Sequence, residues 1–335
     1  RYCWLRDASF TIRALLKLGF EDEAHAYMNW ILHATQLTQP RLQVVYSVYG
    51  NASLEEKTLE WLRGYKGSGP VRIGNKADAQ FQLDVYGEVL DAVYYYAQIV
   101  EQFDRASRRF IIGLGKVICK MWREPDNGIW EIRSPGVHHT HSKVMAWVGL
   151  DRLVKLCEKY SWREAPLQKF REALKEIRSE IEDLGYNTKL NSYTRGFKGN
   201  KLDASLLTLS LVGYCQYDSP RMMSTVKLIK ERLSTNDLVH RYRDVEDGLQ
   251  GNEGAFALCN FWLAENLAQS GNVEEGIRIF EAVLKHASAA GLLSEEIDPE
   301  SHDLLGNYPQ GFTHIGLINA AISINEILSK QTVKA

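Results

Sequence analysis

Two acidic segments of the chain carry the side chains best suited to acid–base chemistry. The first is a turn, 126–128, followed by Trp130 and Glu131. A lone Glu in a loop is usually a solvated charge, but an adjacent indole ring can desolvate the carboxyl group, raise its pKa and make it a general acid. The second segment, about 160 residues later, contains Glu295 and Glu296. Two carboxyl groups across one pocket are the minimal apparatus for hydrolysing a glycosidic bond, because one protonates the leaving oxygen and the other activates water.

Other polar and aromatic segments could bind a sugar beside these acids. Arg6 and Asp7 offer donors and an acceptor to neighbouring hydroxyl groups, although an Asp at the start of a helix is equally typical of an N-terminal cap or first-turn acid. Arg241, in the segment 240–243, supplies further donors. The glycine-containing segment 61–75 carries aromatic rings that could stack on a pyranose.

Phosphate binding and metal binding are competing interpretations of these loops. Segment 61–75 is rich in glycine but has no Walker or dinucleotide motif, so phosphate binding has little support. His138, His139 and His141 are spaced closely, but no HExxH pattern or further ligand accompanies them, and a polar loop is the better interpretation. We therefore predict no cofactor and no metal.

The spacing of apolar residues predicts about eleven helices and little strand. The predicted spans are 7–19, 22–36, 78–102, 105–122, 141–160, 164–185, 203–215, 219–234, 253–270, 273–289 and 310–329. Helices that are apolar nearly all round, such as 203–215, alternate with amphipathic ones, such as 164–185. Links within each pair are short and links between pairs are long, including 235–252, which places the long loops at one end of the assembly.

A closed ring of inner helices wrapped by outer ones and an open α-solenoid both fit this alternation. We favour the ring, because the inner helices are too apolar to form the wet concave face of a solenoid. Five pairs plus one leading helix predict an all-α, (α/α)6 barrel that lacks its first helix, as a single domain over residues 1–335. Loops longer than about 12 residues are usually functional, so we expect the chemistry where these loops meet.

Composition limits the partners of the chain. Its 335 residues include 40 Lys and Arg against 42 Asp and Glu. The chain therefore has no excess of positive charge that would attract nucleic acid or an anionic membrane. No apolar run approaches the roughly 20 residues of a membrane span. Five widely spaced cysteines, mostly in apolar stretches, indicate buried thiols in a reducing compartment, so we predict a cytoplasmic protein.

Several motifs, taken together, resemble one known family. In chain order they are Trp4-x-Arg6-Asp7-Ala8, Gly74-Asn75, Gln80-x-Gln82-Leu83-Asp84-x-Tyr86-Gly87-Glu88, Gly128-Ile129-Trp130-Glu131, His141-Ser142-Lys143, Arg241-Tyr242, Glu253-Gly254-Ala255-Phe256 and Ser294-Glu295. This series covers nearly the whole chain and is similar to glycoside hydrolase family 15, which contains glucoamylases, glucodextranases and trehalases, in its bacterial and archaeal form. The resemblance implies an (α/α)6 barrel and inversion at the anomeric carbon. It also implies, in many members, an upstream β-sandwich domain, which this chain would lack.

The resemblance also implies roles for individual residues. Glu131 matches the family's general acid and Glu295 its general base. Arg6 and Asp7 match the pair that holds the sugar whose bond is cut, and Arg241 matches an Arg-Tyr element near the cleavage point. Glu295 is preferred as the base over its neighbour, which stands where fungal glucoamylases have Gln. The expected substrate-binding residues are Trp4, Arg6, Asp7, Trp130, Lys143, Arg241 and Glu296.

These assignments predict an inverting, exo-acting α-glucosidase that releases β-glucose from α-linked oligosaccharides or disaccharides, as a glucoamylase does. Trehalase activity at the same site is the alternative. A rival from another class is a noncatalytic regulatory domain of this fold, as in phosphorylase kinase regulatory subunits, but retention of both acids argues against it. A helical scaffold for protein partners and a terpene cyclase have less support, because the outer helices show ordinary amphipathic faces and no DDxxD motif occurs.

Overall fold

A computed structural model describes residues 2–36, 38–243 and 253–332. Within these residues, eleven helices, α1 to α11, span Leu5–Lys17, Glu21–Ala34, Asp84–Tyr96, Arg105–Met121, Thr140–Lys159, Leu167–Glu180, Thr208–Leu211, Pro220–Leu233, Ala257–Gln269, Val273–Leu284 and Gly311–Thr332. The predicted all-α class is confirmed. The predicted loop 235–252 lies partly outside the described residues. Among those described, no helix combines the length and apolar character needed to cross a lipid bilayer.

Six helical segments form a closed inner ring. In order around the ring, α1 packs against α3, α3 against α5, α5 against the segment 204–211, this segment against α9, α9 against α11, and α11 against α1. The helices α2, α4, α6, α8 and α10 pack outside, each beside the inner segment that precedes it. Closure of the ring excludes the open solenoid and gives the (α/α)6 barrel, with six inner and five outer helices among the described residues.

The apolar pattern of each helix decides whether it is inner or outer. In α9 every residue from Ala257 to Ala268 is buried, because neighbouring helices cover all its sides. In α6 the buried residues Phe170, Ala173 and Ile177 step by three and four, and the remaining faces are mainly polar. The alternation of fully apolar and amphipathic helices in the sequence therefore corresponds to the two layers of the barrel.

Several helices are shorter than predicted, among them 203–215 and 78–102. The span 203–215 contains a 3-10 helix, Ala204–Leu207, and the single turn of α7, after which Gly213 has a φ of +73°. This run is apolar because it is buried on all sides, and burial of this kind does not distinguish a long helix from a short one. The predicted start at residue 78 was also wrong, because Lys76–Ala79 forms a separate 3-10 helix before α3.

Short strands in the loops pair with one another next to the ends of the helices. In chain order β1 to β11 are Tyr2–Trp4, Val45–Ser47, Lys57–Thr58, Arg72–Ile73, Tyr186–Asn187, Ser192–Tyr193, Ser234–Thr235, Leu238–Val239, Ala255–Phe256, Glu296–Ile297 and Leu304–Leu305. The pair β1–β2 leads into α1, and β10 lies between β9 and β11 beside the start of α9. These two small antiparallel sheets fix the backbone on either side of the site described next.

Candidate active site

Glu131 ends a tight turn and has left-handed backbone geometry, with a φ of +57°. Its N–H donates to the Gly128 carbonyl oxygen at 3.2 Å, and the Gln80 side-chain amide donates to the Glu131 carbonyl oxygen at 3.0 Å. Such geometry costs a non-glycine residue about 1–3 kcal/mol and persists only where the surroundings hold it. The turn therefore sets the direction in which the Glu131 side chain leaves the backbone.

Arg6, the second residue of α1, links this turn to Asp7. Its Nη1 donates to the Ile129 carbonyl oxygen at 2.6 Å and lies 3.5 Å from Glu131 Oε1. Its Nε and Nη2 lie 3.0 and 2.9 Å from Asp7 Oδ2. Asp7 lies in the first turn of α1, as the first-turn interpretation expects, but its side chain does not cap the helix. Its carboxylate is paired with Arg6.

Burial and neighbouring charges act together on the Glu131 carboxyl group. Burial is the largest effect and raises its pKa, while the Arg6 guanidinium lowers it, Asp7 raises it, and the neighbouring Trp4 indole lowers it; the net direction is upward. Although burial alone lowers the pKa of Arg6, the nearby carboxylates, led by Asp7 and Glu131, raise it. Arg6 is therefore a permanent cation beside an acid that retains its proton to higher pH than an ordinary Glu.

Glu295 immediately precedes β10 and pairs with Asn307. The Glu295 N–H donates to the Asn307 carbonyl oxygen at 2.9 Å, and the Ala257 N–H donates to the Glu295 carbonyl oxygen at 3.0 Å. Its side-chain Oε2 accepts hydrogen bonds from the Asn307 backbone N–H at 2.9 Å and from Asn307 Nδ2 at 2.8 Å. The carboxylate is thus anchored through one oxygen.

Glu296 has a different environment from Glu295. Its Oε1 lies 3.5 Å from Arg241 Nη2, and its Oε2 accepts from the Gly254 N–H at 3.2 Å. Arg241 also forms an ion pair with Glu253. Burial raises the pKa of Glu296 to about 7, opposed by Arg241 and reinforced by Glu253 and Glu295. Glu296 therefore orients Arg241.

A cavity of about 260 Å³ brings the two acidic segments together. It is lined by Trp4, Arg6, Asp7, Asn75, Ile129, Trp130, Glu131, Arg241, Phe256, Glu295, Asn307, Gln310 and Phe312. Its volume is slightly below the roughly 300–1,000 Å³ of drug-sized ligand sites, which suits a small polar ligand. Glu295 belongs to this lining and Glu296 does not.

A second chamber of about 140 Å³ adjoins the first. The two chambers share Asn75, Trp130, Glu131 and Arg241, and the smaller one is completed by Lys76, Ala77, Gln80, Ile132, Arg133 and Tyr242. Glu131 therefore lies on the wall between two chambers, with Glu295 in the lining of the larger.

Most of the residues predicted to form the site meet in the larger chamber. Seven of the nine line it, namely Trp4, Arg6, Asp7, Trp130, Glu131, Arg241 and Glu295. Trp130 is held there by a hydrogen bond from Nε1 to Asp203 Oδ1 at 2.8 Å and by edge-to-face packing on Phe256. The rings of Trp61 and Tyr65 do not line it, and they are 76% and 77% exposed to solvent.

Lys143 lies outside both chambers, contrary to the predicted contact with substrate. It is buried in α5, and its Nζ donates to the Glu124 carbonyl oxygen at 2.6 Å. Burial lowers the pKa of this amine to about 8, opposed by Asp126, Glu180 and Glu124. Lys143 supports the backbone ahead of the Glu131 turn, because its position on α5 faces that backbone and not the cavity.

Several lining residues were not assigned from the sequence, among them Asn75, Phe256, Asn307, Gln310 and Phe312. Asn75 and Phe256 belong to motifs noted above, and membership of those motifs could have indicated that they line the site. Asn307 and Gln310 follow Glu295 in the same long loop, but Asn is common in turns for local backbone reasons and gave no distinct signal.

The three histidines do not form a metal centre in the described part of the chain. His139 and His141 are buried at the start of α5, whereas His138 is exposed and stacks on Phe197. Across residues 2–36, 38–243 and 253–332, no group of three or more His, Cys, Asp or Glu side chains is arranged to hold a metal ion.

A closed ring of paired helices, with two acidic side chains in the lining of one cavity, defines the class as an (α/α)6 barrel. The family model described as "Glycosyl hydrolases family 15" matches residues 1–278 and 273–322. The chain belongs to glycoside hydrolase family 15, which confirms the resemblance found in the motifs.

Curated relatives of this chain include proteins named trehalase. A trehalase of Mycobacterium tuberculosis is 40% identical over 329 residues, which cover 97% of this chain and 48% of that protein. A trehalase of Thermoplasma volcanium is 33% identical over 335 residues, which cover 100% of this chain and 53% of that protein. This chain therefore spans about half the length of the curated relatives it matches.

Solved structures share the fold at low sequence identity. A glycosidase variant in complex with glucose has a TM-score of 0.78 and 20% identity, with coverage of 97% of this chain and 88% of that chain. A bacterial glucoamylase in complex with acarbose has a TM-score of 0.77 and 14% identity, with coverage of 97% and 49%. These similarities support the barrel fold.

Proposed function

We propose that this chain is the catalytic barrel of an inverting trehalase, which hydrolyses α,α-trehalose to two molecules of glucose. The observation that carries the proposal is the position of Glu131 on the wall shared by two chambers, with Glu295 in the larger one. The relatives named trehalase support this substrate over the longer glucans that a glucoamylase-like enzyme would cleave.

Each chamber receives one glucose unit in this proposal. The larger chamber holds the glucose whose anomeric carbon is attacked, and Arg6 and Asp7 bind its hydroxyl groups. The smaller chamber holds the departing glucose, where Lys76 and Arg133 offer hydrogen-bond donors. The glycosidic oxygen then lies beside Glu131, between the two rings. A leaving-group chamber of about 140 Å³ suits one sugar ring better than a glucan chain.

The chemistry requires two carboxyl groups in opposite protonation states. Glu131, whose pKa is raised by burial, donates its proton to the glycosidic oxygen as the bond to the anomeric carbon breaks. Glu295, as carboxylate, removes a proton from a water molecule that attacks the opposite face of the ring. An inverting pair needs about 6.5–9.5 Å between the carboxyl groups, which leaves room for this water. The attacked glucose is released as the β-anomer and the departing glucose as the α-anomer.

The test incubates the protein separately with trehalose, maltose, isomaltose, dextran and starch and follows the anomeric protons of released glucose by NMR. We expect trehalose to be cleaved fastest, with equal initial amounts of α- and β-glucose. Initial release of α-glucose alone would contradict inversion. Faster cleavage of maltose or starch would support the glucoamylase-like alternative, and absence of cleavage would support a noncatalytic domain.

A further inference from the structure

The side chain of Glu295 is held by a single neighbouring residue of the same loop. Both hydrogen bonds to its carboxylate come from Asn307, one from the backbone N–H and one from Nδ2, and both end on Oε2. In the residues that the structure describes, no protein donor binds Oε1. One carboxylate oxygen is anchored, and the other is left for a further ligand in a chamber of about 260 Å³.

Gly306 provides the space for this arrangement. Its φ is +69°, and a Cβ atom built at this position would lie 2.7 Å from Glu295 Oε2 and 2.9 Å from Glu295 Cβ. A methyl group at residue 306 would therefore overlap the anchored oxygen and the Cβ of Glu295. Because the Cβ is attached directly to the backbone, relief of this overlap would shift the Glu295 side chain together with its backbone.

We propose that Gly306 and Asn307 position the general base, an inference that rests on the proposed function. Asn307 fixes Oε2 and thereby aims Oε1 at the water that attacks the anomeric carbon. A general base must lie within about 2.6–3.2 Å of the proton-bearing atom, so the orientation of one oxygen decides its efficiency. Neither residue exchanges a proton with substrate, and both act through Glu295.

The experiment compares two substrates that need different catalytic groups. Trehalose needs a general acid and a general base, whereas α-D-glucosyl fluoride needs the base but not the acid, because fluoride leaves without being protonated. We expect Asn307→Ala to lower kcat about 10- to 100-fold on both substrates, the cost of misplacing a reacting group by roughly 1 Å, with KM nearly unchanged. Glu295→Gln should show the same pattern, and Glu131→Gln should lose far less activity on the fluoride.

Gly306→Ala provides an independent variant with a matched control. Gly291 lies in the same loop and also has a positive φ, +73°, but no atom lies within 4 Å of a Cβ placed there. Both substitutions carry the same type of backbone strain, and only the one at residue 306 displaces Glu295. We expect Gly291→Ala to keep the activity of the wild type, and Gly306→Ala to lower kcat on both substrates and to lower the melting temperature further than Gly291→Ala does.

Three outcomes would overturn the inference. They are full activity of Asn307→Ala, a loss of activity confined to trehalose, and a rise in KM without a fall in kcat. If the wild-type protein hydrolyses the fluoride and trehalose but the variants at residues 306 and 307 match their controls, the positioning role fails while the proposed function stands. If the wild type hydrolyses neither substrate, the proposed function itself fails.

Discussion

At the scale of single residues, Glu131 and Glu295 differ in the way expected of an acid and a base. Glu131 is buried beside Arg6 in a strained turn, and its pKa is raised. Glu295 accepts two hydrogen bonds from Asn307 through one carboxylate oxygen and lines the larger chamber. The two glutamates therefore occupy different environments, as the two carboxyl groups of an acid and base pair require.

Replacing either acid by its amide should remove catalysis and preserve the fold. Proton transfer by a positioned group typically contributes about 10²–10⁴ in rate, so we expect Glu131→Gln and Glu295→Gln each to lower kcat for trehalose by that factor. Glu176→Gln is the matched control, since Glu176 is exposed on α6 and pairs with Arg123. Steady-state kinetics and circular dichroism check the prediction, and wild-type kcat in either variant would contradict it.

The pH dependence should report the contact between Arg6 and Glu131. Because Arg6 lowers the pKa of Glu131, Arg6→Met should raise that pKa and keep the acid protonated at higher pH. We expect the alkaline limb of the kcat profile to move upward by about one pH unit, alongside a loss of activity from weaker sugar binding. Arg123→Met, distant from the cavity, should leave the profile in place. A downward shift in Arg6→Met would refute the assignment.

At the scale of elements, α3 and α5 carry buried polar groups between them. The carboxylate oxygens of Asp84 and Glu88 on α3 have no hydrogen-bond partner among the described residues, and His141 Nδ1 on α5 lies 3.8 Å from Asp84 Oδ2. Burial raises the pKa of Asp84 to about 7, reinforced by Asp126, and raises that of Glu88 well above its usual value, reinforced by Asp84. Both acids therefore retain their protons to higher pH than exposed carboxyl groups do.

This burial makes the stability of the fold depend on pH. Between the unfolded and the folded pKa, a carboxyl group whose pKa is raised by folding is protonated in the folded protein and ionised in the unfolded chain. The free energy of unfolding therefore decreases as pH rises above the unfolded pKa. We expect Glu88→Gln to remove this penalty and to be more stable relative to wild type at pH 8 than at pH 5. Denaturant unfolding at both pH values measures this difference.

Glu281→Gln is the control for that comparison, because Glu281 is exposed on α10. It should change stability equally little at the two pH values. An equal effect of Glu88→Gln at pH 5 and pH 8 would show that Glu88 is ionised in the folded protein.

The contact between α3 and α5 depends on Gly87. A Cβ at this residue would lie 2.0 Å from the Met145 carbonyl oxygen of α5. Since backbone cannot move aside as a side chain can, we expect Gly87→Ala to destabilise the protein by roughly 1–3 kcal/mol. In Gly113→Ala, on α4, the new Cβ meets only Pro40 at 3.6 Å, and we expect a gain of roughly 0.5–1 kcal/mol. Thermal unfolding of both variants tests the contrast.

At the scale of the whole molecule, closure of the ring joins all inner helices into one unit. Each inner segment packs against two others, and one hydrophobic core extends from Leu5 to Phe312. We therefore propose a single domain and predict one cooperative unfolding transition, with coincident curves from tryptophan fluorescence and far-ultraviolet circular dichroism. Two separated transitions would contradict a single domain.

The layers of the barrel and much of its site could be predicted from residue types and spacing. The alternation of apolar and amphipathic helices and of short and long links can be read from residues close together in the sequence. In the barrel it corresponds to the alternation of inner and outer helices. Lys143, which the motif grouped with the substrate-binding residues, lies outside both chambers. A motif shows which residues are neighbours along the chain, but it does not show which part of the structure a helix face contacts. The single long helix expected at 203–215 failed because apolar composition reports burial and not helix length.

The sequence by itself determined the helical periods, the order of the loops and the presence of acidic residues in two of them, because these depend on neighbours a few positions apart. Only the tertiary structure decided that Glu131 lies between two chambers and that Asn307, not a motif residue, anchors Glu295. These features depend on contacts among α1, the turn before Glu131 and the loop before α11, which are brought together only when the ring closes.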